Sequence, residues 1–371
     1  LGLATFRAVG LIVRDRHTML GALLLLCLLG LGITVIGILA SSGRSKVDLL
    51  SAFQSRIPRV IRTLPGLRTS GVSRNQLAGV LVLYLPLAAA LLRCRSCGSA
   101  KGWRRWLLLT ARMAFLSFIG AVLILTQSRS GWIGGAAGLV ALGTLAGLTA
   151  RARWRRILGV ALPVVLVVTV IGAVSVAGPE RVGEMLYGKG NEAAVEEVVG
   201  SLSIAGRVEI WSRALYAIQD FPFTGCGLGT FREVVWILYP LFTISPDRDI
   251  AHAHNIFLQT AMDLGLPGLI GYLALLMVAV AVGWRAAREA TTRRENALVR
   301  PLGLGLTAGL VGLHVYGLAE VLALGSKPGI VFWYALGLLA ALPNVNGEPL
   351  TPREDHDGVG HHDADEADAA D

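Results

Sequence analysis

The stretch "MLGALLLLCLLGLGITVIGILA", residues 19–40, is an apolar run without a single charged side chain. A helix needs about 20 such residues to cross the roughly 30 Å hydrocarbon core of a bilayer, because it rises about 1.5 Å per residue. The rest of the chain has the same character, since 54% of its 371 residues are hydrophobic and only 16% are charged. The sequence therefore predicts an all-α, polytopic membrane protein and argues against two soluble domains.

Seven further apolar segments follow the first one. They lie at about residues 77–92, 106–126, 131–150, 157–177, 266–284, 301–319 and 329–342, and the segments at 77–92 and 329–342 are the shortest. Together they predict a bundle of about eight spans in a transmembrane domain over residues 1–343. The 45 glycines suit such a bundle, because small residues let membrane helices pack closely.

Basic residues indicate the orientation of the bundle. They cluster in three predicted loops, at residues 93–105, 151–156 and 285–300, and alternation of the spans puts all three loops on one side. That side is cytoplasmic by the positive-inside rule. The turn at 127–130 and a long loop at about 178–265 are then extracytoplasmic.

Two charged segments stand out, one within this domain and one after it. Residues 41–76 carry a net charge of +6 although they should be external, which indicates either a misplaced first span or a basic loop that meets lipid headgroups or another anion. Residues 344–371 carry a net charge of −8, and this composition predicts a disordered acidic tail on the cytoplasmic side.

Three polar stretches collect on the predicted outer side, near the ends of spans. They are "LTQSRSGWIGG" (125–135), "SIAGRVEIWSRALYAIQDFPFTGCGLGTF" (203–231) and "AHAHNIFLQTAMDLGLPG" (251–268). In the second stretch, the spacing of Ile210, Trp211, Leu215 and Ile218 predicts an amphipathic helix on the membrane surface, followed by a glycine turn. Polar groups are costly next to hydrocarbon, so such gatherings indicate either interfacial anchors or a functional site.

Other polar motifs give weaker signals. The "PDRD" at 246–249 has the D-x-D spacing of a metal–diphosphate site, but its arginine and its location favour a solvated loop. The C-x-x-C at 94–97 has no second pair, so it does not support a zinc site. The sequence predicts no metal, no cofactor and no nucleic-acid partner.

Taken together, "TQSRSGW", "GRVEIWSRAL" with "FPFTGCGLGTF", and "HAHNIFLQTAMDLGLPG" resemble the O-antigen ligase and Wzy-type polymerase superfamily in order and spacing. "SRNQLAGVLVLYLPLA" (73–88) and "GSKPGIVFWYALGLL" (325–339) extend the resemblance to about residues 57–342. It implies a GT-C-like bundle acting as a metal-independent, inverting glycosyltransferase on the outer face of a bacterial inner membrane. The implied donor is a glycan on undecaprenyl diphosphate, and the acceptor is a saccharide, a lipid or a protein. Members usually have more spans, which implies a missing N-terminal part.

The resemblance also implies roles for three residues. Arg129 and Arg207 match the two arginines that contact the diphosphate, and His254 matches the histidine that activates the acceptor hydroxyl. The chemistry asks for these types, because a departing diphosphate gathers negative charge and a sugar hydroxyl needs a base. Asn255, Glu320 and Lys327 stay open between substrate binding and a structural role, which for Asn255 is helix capping.

One alternative belongs to another class of protein, a transporter or flippase of lipid-linked glycan or of a metal ion. Transporters usually place ionisable groups near the bilayer midplane and often contain internal repeats. Here the charges collect at the outer face and no repeat is seen, which favours the enzyme. The sequence does not separate a ligase from a polymerase or a protein O-oligosaccharyltransferase.

Overall fold

The computed structural model describes residues 1–40, 73–94, 102–178, 181, 204–242, 244, 250–292, 298–322 and 327–345. The helices in these ranges are α1 (Gly2–Ile12), α2 (Arg16–Ala40), α3 (Arg74–Leu91), α4 (Trp103–Leu125), α5 (Arg129–Leu148), α6 (Arg153–Ala177), α7 (Ile204–Asp220), α8 (Phe231–Leu238), α9 (Ile256–Thr292), α10 (Val299–Tyr316) and α11 (Ile330–Val345), with a 3-10 turn at Lys327–Gly329. Most of the basic segment 41–76, the D-x-D motif and the acidic tail from residue 346 lie outside the described residues.

The predicted all-α membrane fold is confirmed, and a helix occupies each of the eight expected spans. Among the described residues, six helices are long and apolar enough to cross a membrane: α2, α3, α4, α5, α6 and α9. The seventh expected span is α10, which contains Arg300 and His314 and is nearly all buried within the protein. The eighth is α11, a shorter apolar helix of 16 residues.

Helix α10 packs at the centre of the bundle, against α3, α5 and α9. Its glycines allow very close approach: a Cβ atom at Gly312 would lie 2.6 Å from the carbonyl oxygen of Gly134 in α5. Similarly, a Cβ atom at Gly309 would lie 2.5 Å from the carbonyl oxygen of Leu83 in α3. Small residues thus let backbones meet where membrane helices cross. A helix enclosed by other helices needs less hydrophobicity than one that faces lipid.

The segments predicted to be external meet at one end of the bundle. The Tyr316 hydroxyl, at the end of α10, donates to the carbonyl of Asn75 in the first turn of α3 (2.7 Å). The amide of Ile256, which begins α9, donates to the carbonyl of Gly317 (2.8 Å). At the opposite end, Arg151 donates to the carbonyl of Thr291 (3.0 Å). The described residues of the arginine-rich loops therefore lie away from the end that carries the candidate residues, which we call the site end.

Helix α9 is broken at Gly265, in the sequence "GLPG", whose glycines and proline disfavour a continuous helix. The φ angle of Gly265 is 71° and its ψ angle is 179°, so the two halves of the helix meet at a kink. The freed backbone groups bond to the glycine turn after α7: Cys226 N–H donates to Met262 (2.7 Å), Gly227 N–H to Asp263 (3.1 Å), and Leu266 N–H to Pro222 (2.7 Å). The turn thus satisfies polar groups that would otherwise be left unpaired beside a membrane span.

Helix α7 is amphipathic as predicted, but its buried stripe packs against protein. Ile210, Ala214 and Ala217 are buried in a small second core formed with α8 and the first half of α9. Trp211 and Ile218 pack against this core, whereas Leu215, predicted on the same stripe, is exposed. Leu215 therefore lies off the stripe that packs against protein, where the small side chains of Ala214 and Ala217 face the neighbouring helices.

Candidate active site

Helix α9 starts from a short loop that holds His254 and Asn255. The Asn255 side chain accepts from the N–H groups of Phe257 (2.9 Å) and Leu258 (3.1 Å), which is the geometry of a helix N-cap. Its amide nitrogen also donates to the carbonyl of Leu318, at 3.2 Å. Asn255 therefore ties the start of α9 to the segment that follows α10.

His254 has a left-handed backbone conformation with a φ angle of 48°. Within the described part of the chain, Gln127 is the only other residue besides glycines with a positive φ. Such a conformation costs an L-residue of order 1 kcal/mol and is found most often where surrounding structure enforces it. Here the capped helix start on one side and the interactions of the imidazole ring on the other hold the residue in place.

The hub of the site is Glu320, a buried carboxylate just after α10. Its Oε1 atom lies 3.0 Å from Nη2 of Arg207 and accepts from the side-chain amide of Asn75 at 2.8 Å. Its Oε2 atom lies 3.1 Å from Nδ1 of His254. Arg207 also donates to the carbonyl of Ala319. Residues far apart in sequence thus converge on one carboxylate, and we call Asn75, Arg207, His252, His254 and Glu320 the Glu320 cluster.

These partners keep Glu320 ionised. Burial by itself raises the pKa of the carboxyl group, but the hydrogen bond and charge of His254, together with Arg207, outweigh it and lower the pKa to about 2. An ionised carboxylate only accepts hydrogen bonds, so Nδ1 of His254 must carry the proton that they share. In a neutral imidazole the lone pair then lies on Nε2, the nitrogen turned away from Glu320.

His252 stands beside His254, with the two ring centroids 4.4 Å apart. Burial, followed by the neighbouring charge of His254, lowers the pKa of His252 to about 4, so this second imidazole is neutral at pH 7. The ligand atoms of His252, His254 and Glu320 lie within 4.8 Å of one another, close enough to hold a metal ion. However, both carboxylate oxygens already bind donors, one of them a guanidinium, so an ion would have to displace Arg207 or His254.

Arg129 is exposed at the first residue of α5, after the N-cap Ser128, whose hydroxyl accepts from Gly131 N–H at 3.3 Å. A Cβ atom at Gly131 would lie 2.7 Å from that of Ala78, one turn along α3 from Asn75. Arg129 therefore lies at the site end. Lys327 begins the 3-10 turn before α11, and its side chain lies outside the described part of the structure.

The structure unites His254, Asn255, Arg207 and Glu320 and adds two residues that the sequence did not single out. Asn75 lies in the capping box Ser73–Gln76, and nothing in that local motif indicates a partner 245 positions away. For His252, the only indication in the sequence was its position two residues before His254. Both contribute through tertiary contacts, which local spacing does not encode.

Part of the chain matches a known protein family. Residues 113–273 match the family model described as O-Antigen ligase (Wzy_C), a range that contains Arg129, Arg207, His254 and Asn255 but not Asn75 or Glu320. No curated protein matches the chain.

Proposed function

We propose that this multi-pass membrane protein, whose residues 113–273 match the O-Antigen ligase family model, acts as an enzyme of that superfamily and transfers a glycan from undecaprenyl diphosphate to an acceptor hydroxyl. The observation that carries the proposal is the bond between His254 and the ionised Glu320, with Arg207 on the same carboxylate. An oriented imidazole beside a fixed cation suits general-base catalysis of a reaction that expels an anion.

In the proposed reaction, the acceptor oxygen forms a bond to the anomeric carbon of the donor glycan. The bond between that carbon and the diphosphate oxygen breaks, and undecaprenyl diphosphate leaves with the electron pair. The acceptor proton goes to Nε2 of His254, and Glu320 stabilises the imidazolium that results. A single displacement of this kind inverts the anomeric configuration.

The two arginines have different parts in this proposal. Arg129 is proposed to contact diphosphate oxygens directly through its planar guanidinium, and its exposure supports this role. Arg207 is buried against Glu320 and Ala319 and acts mainly by keeping Glu320 ionised and by adding positive charge beneath the leaving group. With cations supplied by the chain itself, the reaction is proposed to need no metal ion.

The site end is proposed to face the extracytoplasmic side of a bacterial inner membrane. The arginine-rich loops at the opposite end support this orientation through the positive-inside rule. The acceptor is proposed to be a hydroxyl of a saccharide, a lipid or a protein in surface-polysaccharide assembly.

A transfer assay tests the proposal. The full chain, reconstituted in proteoliposomes, is given an undecaprenyl-diphosphate glycan and separate saccharide, lipid A core and protein acceptors, and covalent product is measured. We expect His254→Ala to lower the rate by about 10² to 10⁴-fold, as loss of a general base does. His17→Ala, an exposed histidine near the start of α2, serves as the control and should leave the rate unchanged.

Full activity of His254→Ala would remove the base assignment. A chain that moves the lipid-linked glycan across the bilayer without forming any product, with each acceptor present, would instead be the transporter that the sequence left as an alternative.

A further inference from the structure

The segment from Phe221 to Phe242, between α7 and the α9 loop, exposes large apolar side chains. Phe223 is 77% exposed, Ile237 is 74% exposed and Phe242 is 81% exposed. Leu228, Trp236 and Leu238 in the same segment are also exposed. So much apolar surface on a short stretch outside the spans indicates a surface that is covered by something else.

The first part of this segment lies directly against the break in α9. Leu266 N–H donates to the carbonyl of Pro222 (2.7 Å), and a Cβ atom at Gly265 would lie 2.5 Å from the carbonyl oxygen of Phe223. Beyond the break, α9 exposes Ile270 and Met277 along a span that is apolar enough to cross the membrane. The exposed Phe223 therefore lies beside the end of a span that also exposes large apolar side chains.

The second part is held to the end of α7. The Tyr239 hydroxyl donates to Asp220 (2.5 Å), the residue that ends α7 and precedes the phenylalanines. Arg213 donates to the carbonyl of Pro240 (2.9 Å) and lies 5.3 Å above the ring of Phe242. These contacts fix the end of α8 close to the chain that leads to the α9 break.

The exposed residues of helix α8 are charged in its first turn and apolar in its last turn. Phe231 and Val235 face the second core, the charged Arg232 and Glu233 are exposed in the first turn, and the last turn exposes Trp236, Ile237 and Leu238. This pattern is typical of a short helix that enters a membrane interface obliquely, with its charged turn among headgroups and its apolar turn among acyl chains.

We propose that residues 221–242 insert into the lipid leaflet at the site end and dock α7 and the glycine turn onto the bilayer. The occupant of this apolar surface is the bilayer itself, because the surface adjoins the α9 span at the break. In this proposal, residues 221–242 make the membrane contact that the sequence predicted for α7. If the proposed transfer holds, this docking sets the Glu320 cluster at the depth of a lipid-linked diphosphate.

Lipid-quenching measurements on the full chain in nanodiscs test the insertion and do not depend on transfer activity. In a background with its cysteines replaced, single cysteines at Phe223, Ile237 or Phe242 carry an environment-sensitive fluorophore. Three reference positions are labelled in the same way. Gln219, exposed on α7, reports the aqueous environment, and Glu233 reports the headgroup region expected for the first turn of α8. Met277 reports the interior of a span. The nanodisc lipids carry a nitroxide on carbon 5 of the acyl chain.

We expect several-fold stronger quenching at residues 223, 237 and 242 than at residue 219. Quenching at residue 233 should be intermediate. A bilayer that quenches 223 and 237 no more than 219 would overturn the proposal. A blue-shifted fluorophore at 237 that lipid does not quench, with cross-links between two copies, would overturn it in favour of a protein partner. Neither outcome bears on the transfer reaction, which the His254→Ala assay tests separately.

Discussion

Two arginines at the site end carry the same prediction from sequence but lie in opposite environments. Arg129 is exposed at the first residue of α5, directly after the N-cap Ser128. Arg207 is buried in the Glu320 cluster, 3.0 Å from a carboxylate that is itself buried. Removing Arg207 takes the guanidinium from a buried carboxylate, whereas Arg129 lies in an exposed position. A match by residue type therefore does not fix a role, and the two positions should respond differently to mutation.

The largest effect is expected for Arg207→Ala. Breaking a buried ion pair by removing one partner typically costs about 3–5 kcal/mol, so we expect a marked fall in the thermal unfolding temperature in detergent together with loss of transfer activity. Arg285→Ala is the matched control, because Arg285 pairs with Glu289 on the exposed surface, where such pairs contribute about 0–1 kcal/mol.

A double variant separates the loss of stability from the loss of transfer activity. Adding Glu320→Gln to Arg207→Ala removes the orphaned charge, so stability should partly return while activity stays low. If Arg207→Ala unfolds at the same temperature as wild type, the Arg207–Glu320 pair does not stabilise the fold. Arg207 and Arg129 would then not differ in their effect on stability.

Acidification should remove the stabilisation of the fold that ionised Glu320 contributes. The pKa of Glu320 is lowered from 4.5 to about 2 in the folded protein, so its ionised form stabilises the fold above about pH 4.5, and this contribution is lost as the pH falls towards 2. The unfolding temperatures of wild type and Glu320→Gln should therefore converge on acidification and stay apart from pH 5 to 7. A gap that is independent of pH would mean that Glu320 is not ionised in the fold.

The sequence predicted what depends on neighbouring residues and missed what depends on distant ones. The apolar runs predicted the eight helices, because an apolar run is a local signal. Glu320 lies 66 positions from His254, and Asn75 lies 245 positions from Glu320. Their meeting follows from how α3, α9 and α10 pack, and that packing depends on glycine contacts between helices that are separate in sequence.

Arg129→Ala should lower activity without lowering stability. Loss of a charge-assisted contact to phosphate is worth about 1.5–3 kcal/mol, so the rate at low donor concentration should fall by roughly 10 to 100-fold, mainly through a higher KM for the donor. Arg129→Lys should recover only part of this, because lysine keeps the charge but not the planar pair of donors. The unfolding temperature should match that of wild type, and a large decrease would show that Arg129 is structural, as Arg207 is.

The smallest effect is expected from metal removal. Both arginines place permanent positive charge at the site end, and a metal ion on His252, His254 and Glu320 would have to displace a guanidinium or an imidazole from the carboxylate. Transfer by the wild-type chain in proteoliposomes should therefore be unchanged in EDTA, and added Mg²⁺ or Mn²⁺ should not stimulate it. Strict dependence on a divalent ion would show that arginine charge alone is insufficient. The D-x-D residues Asp247 and Asp249 would then be the first ligands to mutate, with His252 as the comparison.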